Sequence, residues 1–311
     1  MSIVAAHPET DEAPTDDESL LSPAMASRLA RLALIARRLP DARRRARRRT
    51  RRVGAGVEAI DTRPYALGDD PRRIAWAAYA RMERLLVRVV ADEAPLRLVL
   101  VVDTSASMGF GRPNKLVQAS RIAAGLAAVA LGAEDRVAAV GSAGEPQSVM
   151  RATGGRRGMA RLLSLLNGLR AGGPTDLTAA GDSAAAAAGG RGLCVLLSDT
   201  FDERGVLAAA RRLRSRGHEV ALVEVLDPFE VEPPDLSGCE LEDEETGEIV
   251  ELPGGGAREA YRRALEEHRG RIDEGLAELE APVLRVTTAE PFDSIVGKAL
   301  RTGFVRPGSA S

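Results

Sequence analysis

The sequence is short of several things. Only two of its 311 residues are cysteines, Cys194 and Cys239, so it offers no disulfide framework and fits a reducing compartment. Aromatic residues make up 3%, which leaves Ala, Val and Leu to fill a core. Lysine occurs only at Lys115 and Lys298, so the basic charge is almost wholly arginine. A net charge of -2 gives no global drive toward nucleic acid or membrane surfaces. No uninterrupted apolar run approaches the roughly 20 residues that span a bilayer. The apolar stretch Leu29–Leu39 is cut by Arg31, Arg37 and Arg38. No basic region followed by an apolar one opens the chain, so no secretion signal is read there and a cytoplasmic location is expected.

What is present is unevenly spread. Residues 9–18 carry acids alone, 43–52 are mostly arginine, and 230–251 are acidic again. Residues 1–22 are expected to be a disordered tail. Leu29, Leu32, Ile35 and Leu39 recur at helical spacing in one amphipathic helix that ends near Pro40. The basic linker follows, then a turn-rich stretch punctuated by Pro64, Gly68 and Pro71, in which Asp69 or Asp70 can cap a helix and Trp76 reads as a core anchor. Its end, "RLLVRVVADE", reads as a strand.

From Leu96 onward strands and helices alternate. "LRLVLVVD" is continuously apolar, as a strand covered on both faces should be. Helices over 114–132 and 175–188, with strands "RVAAVGS", "GLCVLLSD" and "HEVALVEVLD", complete a βαβα rhythm. The fold class expected is α/β, a doubly wound, mostly parallel sheet. It would carry an N-terminal helix-plus-strand segment over 23–95 and a core over 96–229. A hairpin-and-helix insertion would fill 230–280, a final strand and helix 281–303, and a tail 304–311.

Three polar clusters fall at carboxyl ends of strands, where ligands bind in open α/β sheets. They are Asp103-x-Ser105-x-Ser107, the loop "GGPTDL" with Thr175 and Asp176, and Asp199 in "LLSDTFD". Carboxylates and hydroxyls without His or Cys suit a hard divalent cation, Mg²⁺ or Mn²⁺. Such an ion keeps much of its charge when hydroxyls complete its shell, and retains affinity for a carboxylate from another molecule. Each cluster alone is most often a turn or helix N-cap.

Together the three clusters resemble the metal-ion-dependent adhesion site of von Willebrand factor A domains. The upstream "RPYALGDDPRRIAWAAYAR" and "VVADE" resemble the bacterial family called domain of unknown function 58, over about residues 25–301. The resemblance implies direct ligation by Ser105, Ser107 and Thr175, with Asp103 and Asp199 acting largely through water. It also implies a MoxR-type AAA+ ATPase as partner and an acidic partner residue on the metal. Two departures stand out: Pro174 interrupts the Gly-Gly-Thr-Asp run, and Ala75 precedes Trp76 where the family places an acid. Arg72, Arg73, Arg81 and Asp176 are candidate partner contacts.

The expected function is thus non-enzymatic, metal-dependent protein binding. Two alternatives stay open. A Mg²⁺-dependent phosphoester hydrolase would use the same ion. However, a phosphatase of the haloacid dehalogenase type needs an acid where Ser105 stands, and none of the three histidines is placed as a base. Nucleic-acid binding would use Arg43–Arg52, but no aromatic residue interleaves that run for base stacking.

Overall fold

The computed structural model describes residues 20, 22–38, 59–67, 69–90, 95–143, 145–173, 177–234, 240–242, 249–251 and 256–304. The acidic run, Arg43–Arg52, Thr175, Asp176 and the last seven residues lie outside them. The chain forms two compact units, one made of residues 1–38 with 97–311 and one of residues 39–96.

In chain order the elements begin with α1 (Pro23–Arg38), β1 (Ala59–Pro64), α2 (Trp76–Met82) and β2 (Leu86–Val90). The core follows with β3 (Arg97–Asp103), α3 (Lys115–Gly132), β4 (Arg136–Ala143), β5 (Glu145–Gly154), α4 (Gly155–Gly168) and α5 (Thr178–Ala188). Then come β6 (Leu193–Ser198), α6 (Glu203–Ser215), β7 (Glu219–Leu226) and the single turn α7 (Pro228–Val231). The chain continues through β8 (Glu240–Glu242), β9 (Ile249–Glu251), α8 (Ala257–Ala277), β10 (Val283–Thr287) and α9 (Phe292–Thr302).

Six strands make one sheet in the order β10-β7-β6-β3-β4-β5, parallel except for β5 at one edge. This is the doubly wound α/β arrangement expected, with one strand unforeseen: "EPQSVMRATG" carries no period-two signal and pairs antiparallel with β4 through two register shifts. β3 sits inside the sheet, and both its faces are covered. Leu98, Leu100 and Val102 join a core with α3, while Val99 and Val101 join another with α5 and α6. That two-sided cover is why the strand reads as one apolar run. The insertion forms the antiparallel pair β8–β9 expected around Thr246 and Gly247, and α8 contributes Ile272 and Leu276 to the second core.

α1 belongs with the sheet unit and not with the segment that follows it, which corrects the boundary drawn at residues 23–95. Its Met25, Leu29 and Leu32 are buried in the first core, whereas Ile35 is exposed. Glycines on α3 make that packing close. A Cβ at Gly132 would lie 2.7 Å from the Ala33 carbonyl oxygen, and one at Gly125 would lie 2.7 Å from Val296 Cγ2. α3 is also the one helix among the described residues long and apolar enough to cross a membrane, and 83% of that window is buried in this core.

In the second unit β1 and β2 pair antiparallel, and Ile74 bridges to Val87. Asp70 caps a 3₁₀ turn at Pro71–Arg73, accepting from the Arg72 N–H at 3.0 Å, and Asp69 holds Arg63 with both carboxylate oxygens. Trp76 departs from expectation. Among the described residues of this unit Ile74, Ala75 and Val87 are buried, whereas Trp76 is 58% exposed and edge-on to Tyr79. The short helix α2 has no buried residue, so within this unit Trp76 anchors no core. Arg72 and Arg81 are exposed on this unit.

Candidate functional site

The carboxyl ends of β3 and β6 bring Asp103 and Asp199 together. Val102 pairs with Leu197 in the ladder, so Asp103 lies beside Ser198, the last residue of β6. The Ser198 hydroxyl donates to Asp103 Oδ2 at 2.6 Å, and the Ser105 N–H donates to Oδ1 at 2.9 Å. Ser105 and Ser107 place their hydroxyl oxygens 3.1 Å apart. A 3₁₀ turn over Ala106–Gly109 curls the chain so that both point inward. Asp103, Ser105, Ser107 and Asp199 are all essentially inaccessible to solvent.

The second-motif loop is laced to the first. Gly172 N–H donates to the Thr104 carbonyl at 2.9 Å, and Ala106 N–H donates to the Gly173 carbonyl at 3.0 Å. The described chain of that loop stops there. Thr175 and Asp176 follow at once but lie outside the described residues, so the structure brings together four of the five expected metal ligands.

Three further residues complete the cluster, and the sequence reading passed over all of them. Ser198 is one. Lys115, the first residue of α3, is another: its ammonium donates to Asp199 Oδ2 at 2.8 Å and to Glu230 Oε1 at 2.6 Å with no solvent exposure. The ammonium also lies 4.7 Å from the centre of the Phe201 ring. Glu230 is the third, buried on α7, where the capping box with Asp227 orients it. Tyr261 of α8 donates its hydroxyl to the Glu230 carbonyl at 2.6 Å. Two signals were visible beforehand: one of the two lysines stands at the start of an apolar helix, and "DPFE" has capping-box spacing just past a strand.

The turn after β6 is strained. Thr200 adopts φ +66, a region costly for a β-branched residue. Its N–H donates to Ser198 Oγ, its carbonyl meets His268 Nε2 at 2.9 Å, and Phe201 N–H donates to Asp199 Oδ1. His268 is thereby a packing residue of this turn.

Electrostatics make the cluster unusual. Burial, reinforced by the charge of Asp199, pushes the Asp103 carboxyl up to about 7 despite the hydrogen bonds from Ser198 and Ser105. Burial works to lower the Lys115 ammonium, yet the charges of Asp199 and Glu230 outweigh it and hold it above the usual lysine range. Burial likewise pushes the Glu230 carboxyl up to about 7 against the pull of Lys115, so a divalent cation beside these acids would favour their ionised forms.

The residues fit such an ion. Adjacent ligands of an octahedron with bonds of ~2.1 Å are about 3 Å apart, which matches the 3.1 Å between the Ser105 and Ser107 oxygens. Among the described residues no group of three or more His, Cys, Asp or Glu is arranged to hold a metal. The fit therefore rests on hydroxyls with two carboxylates.

Comparison with known proteins gives the lineage. The profile of the family described as protein of unknown function DUF58 matches residues 61–271. An uncharacterised protein of Mycobacterium tuberculosis strain H37Rv is 33% identical over 241 residues, 76% of this chain and 76% of its own length. Among solved structures, an aerotolerance-related membrane protein from Bacteroides fragilis is similar at a TM-score of 0.46 and 20% identity, covering 66% of this chain and 97% of that one. The Rpn10 von Willebrand A domain is similar at a TM-score of 0.41 and 12% identity, covering 70% of this chain and 100% of that one. The chain belongs to the DUF58 family.

Proposed function

We propose that this DUF58 protein is a non-enzymatic protein-binding module, one whose grip on a partner is completed by Mg²⁺ or Mn²⁺ at the carboxyl ends of β3 and β6. The observation that carries the reading is the buried pair Asp103 and Asp199 beside the two seryl hydroxyls. Asp103 and Asp199 would orient the ion's waters, and Ser105, Ser107 and Thr175 would ligate it directly. An ion so held keeps affinity for an anionic ligand, and an acidic side chain of a partner protein suits it. Following the family resemblance, the partner proposed is a MoxR-type AAA+ ATPase in the cytoplasm.

Lys115 supports binding over turnover. It pairs with Asp199, and His268 of α8 meets the Thr200 backbone carbonyl on the turn after β6.

A pull-down from native lysate tests the proposal. The wild-type chain should capture its partner in Mg²⁺ and release it in chelator, and both Asp103→Ala and Thr175→Ala should lose capture. Retention in chelator, or equal capture by the variants, rejects the reading. Phosphoester turnover abolished by Asp103→Asn would establish the hydrolase instead.

A further inference from the structure

Lys115 occupies a costly place. It is the first residue of α3, where the helix dipole presents its positive end and favours an acid over a base. Its side chain is fully buried, and burying an ammonium is expensive unless anions answer it. Asp199 and Glu230 do so, and the Phe201 and Phe110 rings flank it with their centres 4.7 and 5.9 Å from Nζ.

That contact gives Asp199 a donor on each oxygen: the Lys115 ammonium on Oδ2 at 2.8 Å and the Phe201 N–H on Oδ1 at 3.2 Å. Asp103 is held in the same manner, by the Ser198 hydroxyl on Oδ2 and the Ser105 N–H on Oδ1. An oxygen with one donor keeps a lone pair for a water. Neither carboxylate, however, can turn both oxygens onto one ion without giving up a donor. The two restraints differ in strength. Neutral groups hold Asp103, whereas a full charge holds Asp199, and Glu230 on α7 fixes that charge through Oε1 at 2.6 Å.

Divalent ions differ in what they ask of such acids. Ca²⁺ takes about six to eight oxygens in flexible geometry, often with a bidentate carboxylate, whereas Mg²⁺ keeps several waters in a tight octahedron.

We infer that Lys115 determines which divalent ion the site accepts: by holding Asp199 aside it bars bidentate capture and selects Mg²⁺ against Ca²⁺. This role presupposes the metal site proposed above. Removing the ammonium frees Asp199 Oδ2, which helps both ions and the larger one more.

The full chain, stripped of metal, is titrated with MgCl₂ and with CaCl₂ by calorimetry at constant ionic strength, and the ratio of the two dissociation constants is read. Destabilisation alone weakens both ions together and leaves that ratio where it was. Wild type should prefer Mg²⁺ by about tenfold or more, and Lys115→Met should erase most of that preference. Lys115→Met/Glu230→Met removes the buried pair as a unit, which is gentler on stability, and should shift the ratio equally. Glu230→Gln leaves the ammonium on Asp199 and should keep the wild-type ratio even as its melting temperature falls. No saturable binding of either ion by wild type rejects the metal site itself, and the role of Lys115 with it. Saturable binding without a preference for Mg²⁺, or with the wild-type ratio in both Lys115 variants, overturns the role of Lys115 alone.

Discussion

Lys115 is the residue on which the charge balance of the candidate metal site turns. Replacing it by Met would leave Asp199 and Glu230 buried without a cation, a situation that costs about 3–5 kcal/mol. Denaturant titration of Lys115→Met should show a loss of that size, and adding Glu230→Met should recover part of it. A cost below about 1 kcal/mol would mean the ammonium is not the partner of both acids. His218 makes a second demand, through pH. Its folded imidazole is held below the usual histidine range by burial and three arginines. Below about pH 6.5 the unfolded chain therefore takes up a proton that the folded chain refuses. The stability tied to His218 is fully present above that value and lost as the pH falls through it. His218→Gln should flatten the decline of melting temperature from pH 7 to pH 5, and an unchanged slope would contradict the assignment. The strand-end acids and serines were readable as spacing, since alternate residues after a buried strand point one way. Lys115 and Glu230 were not, because Lys115 reaches Asp199 from another element, 84 residues away in the chain, and Glu230 reaches Lys115 from a third.

The helices differ in how close their neighbours come, and glycine reports it. Gly132→Ala on α3 gains helix propensity of up to about 1 kcal/mol but drives a methyl group into the α1 backbone. Overpacking of that kind costs about 1–3 kcal/mol, so the net effect should be destabilising. Gly270→Ala on α8 meets nothing within 4 Å and should be neutral or stabilising. Thermal melts of the two variants should shift in opposite directions; a stabilised Gly132→Ala would mean that α1 is not packed on α3. The strongly periodic or continuously apolar elements were legible. β5 was not, because an edge strand with two register irregularities loses its alternation. α1 was seen as a helix but assigned to the wrong unit, since its buried stripe says that it packs and not on what. Trp76 departs for a related reason: a lone tryptophan suggests a core, yet among the described residues of this unit Ile74, Ala75 and Val87 are the buried ones.

For the molecule as a whole, a divalent ion at the strand ends should act as a folding ligand. At a concentration one hundred times its dissociation constant it adds about 2.7 kcal/mol, or a rise of roughly 5–10 °C in melting temperature for a unit of this size. Asp103→Asn should abolish that rise. In chelator the same variant should be at least as stable as wild type, because it removes a buried charge that Asp199 repels. Failure of Mg²⁺ and Mn²⁺ to raise the melting temperature of the wild type would remove the basis for the metal site.

The sequence by itself determined the α/β class, the buried central strand and the cluster of Asp103, Ser105, Ser107 and Asp199, because periodicity and local spacing are written residue by residue along the chain. Only the tertiary structure decided that α1 lies on α3 and that Lys115 and Glu230 close the charge network. Those facts depend on strand order and helix contact, which join residues dozens apart in the sequence and leave no local pattern.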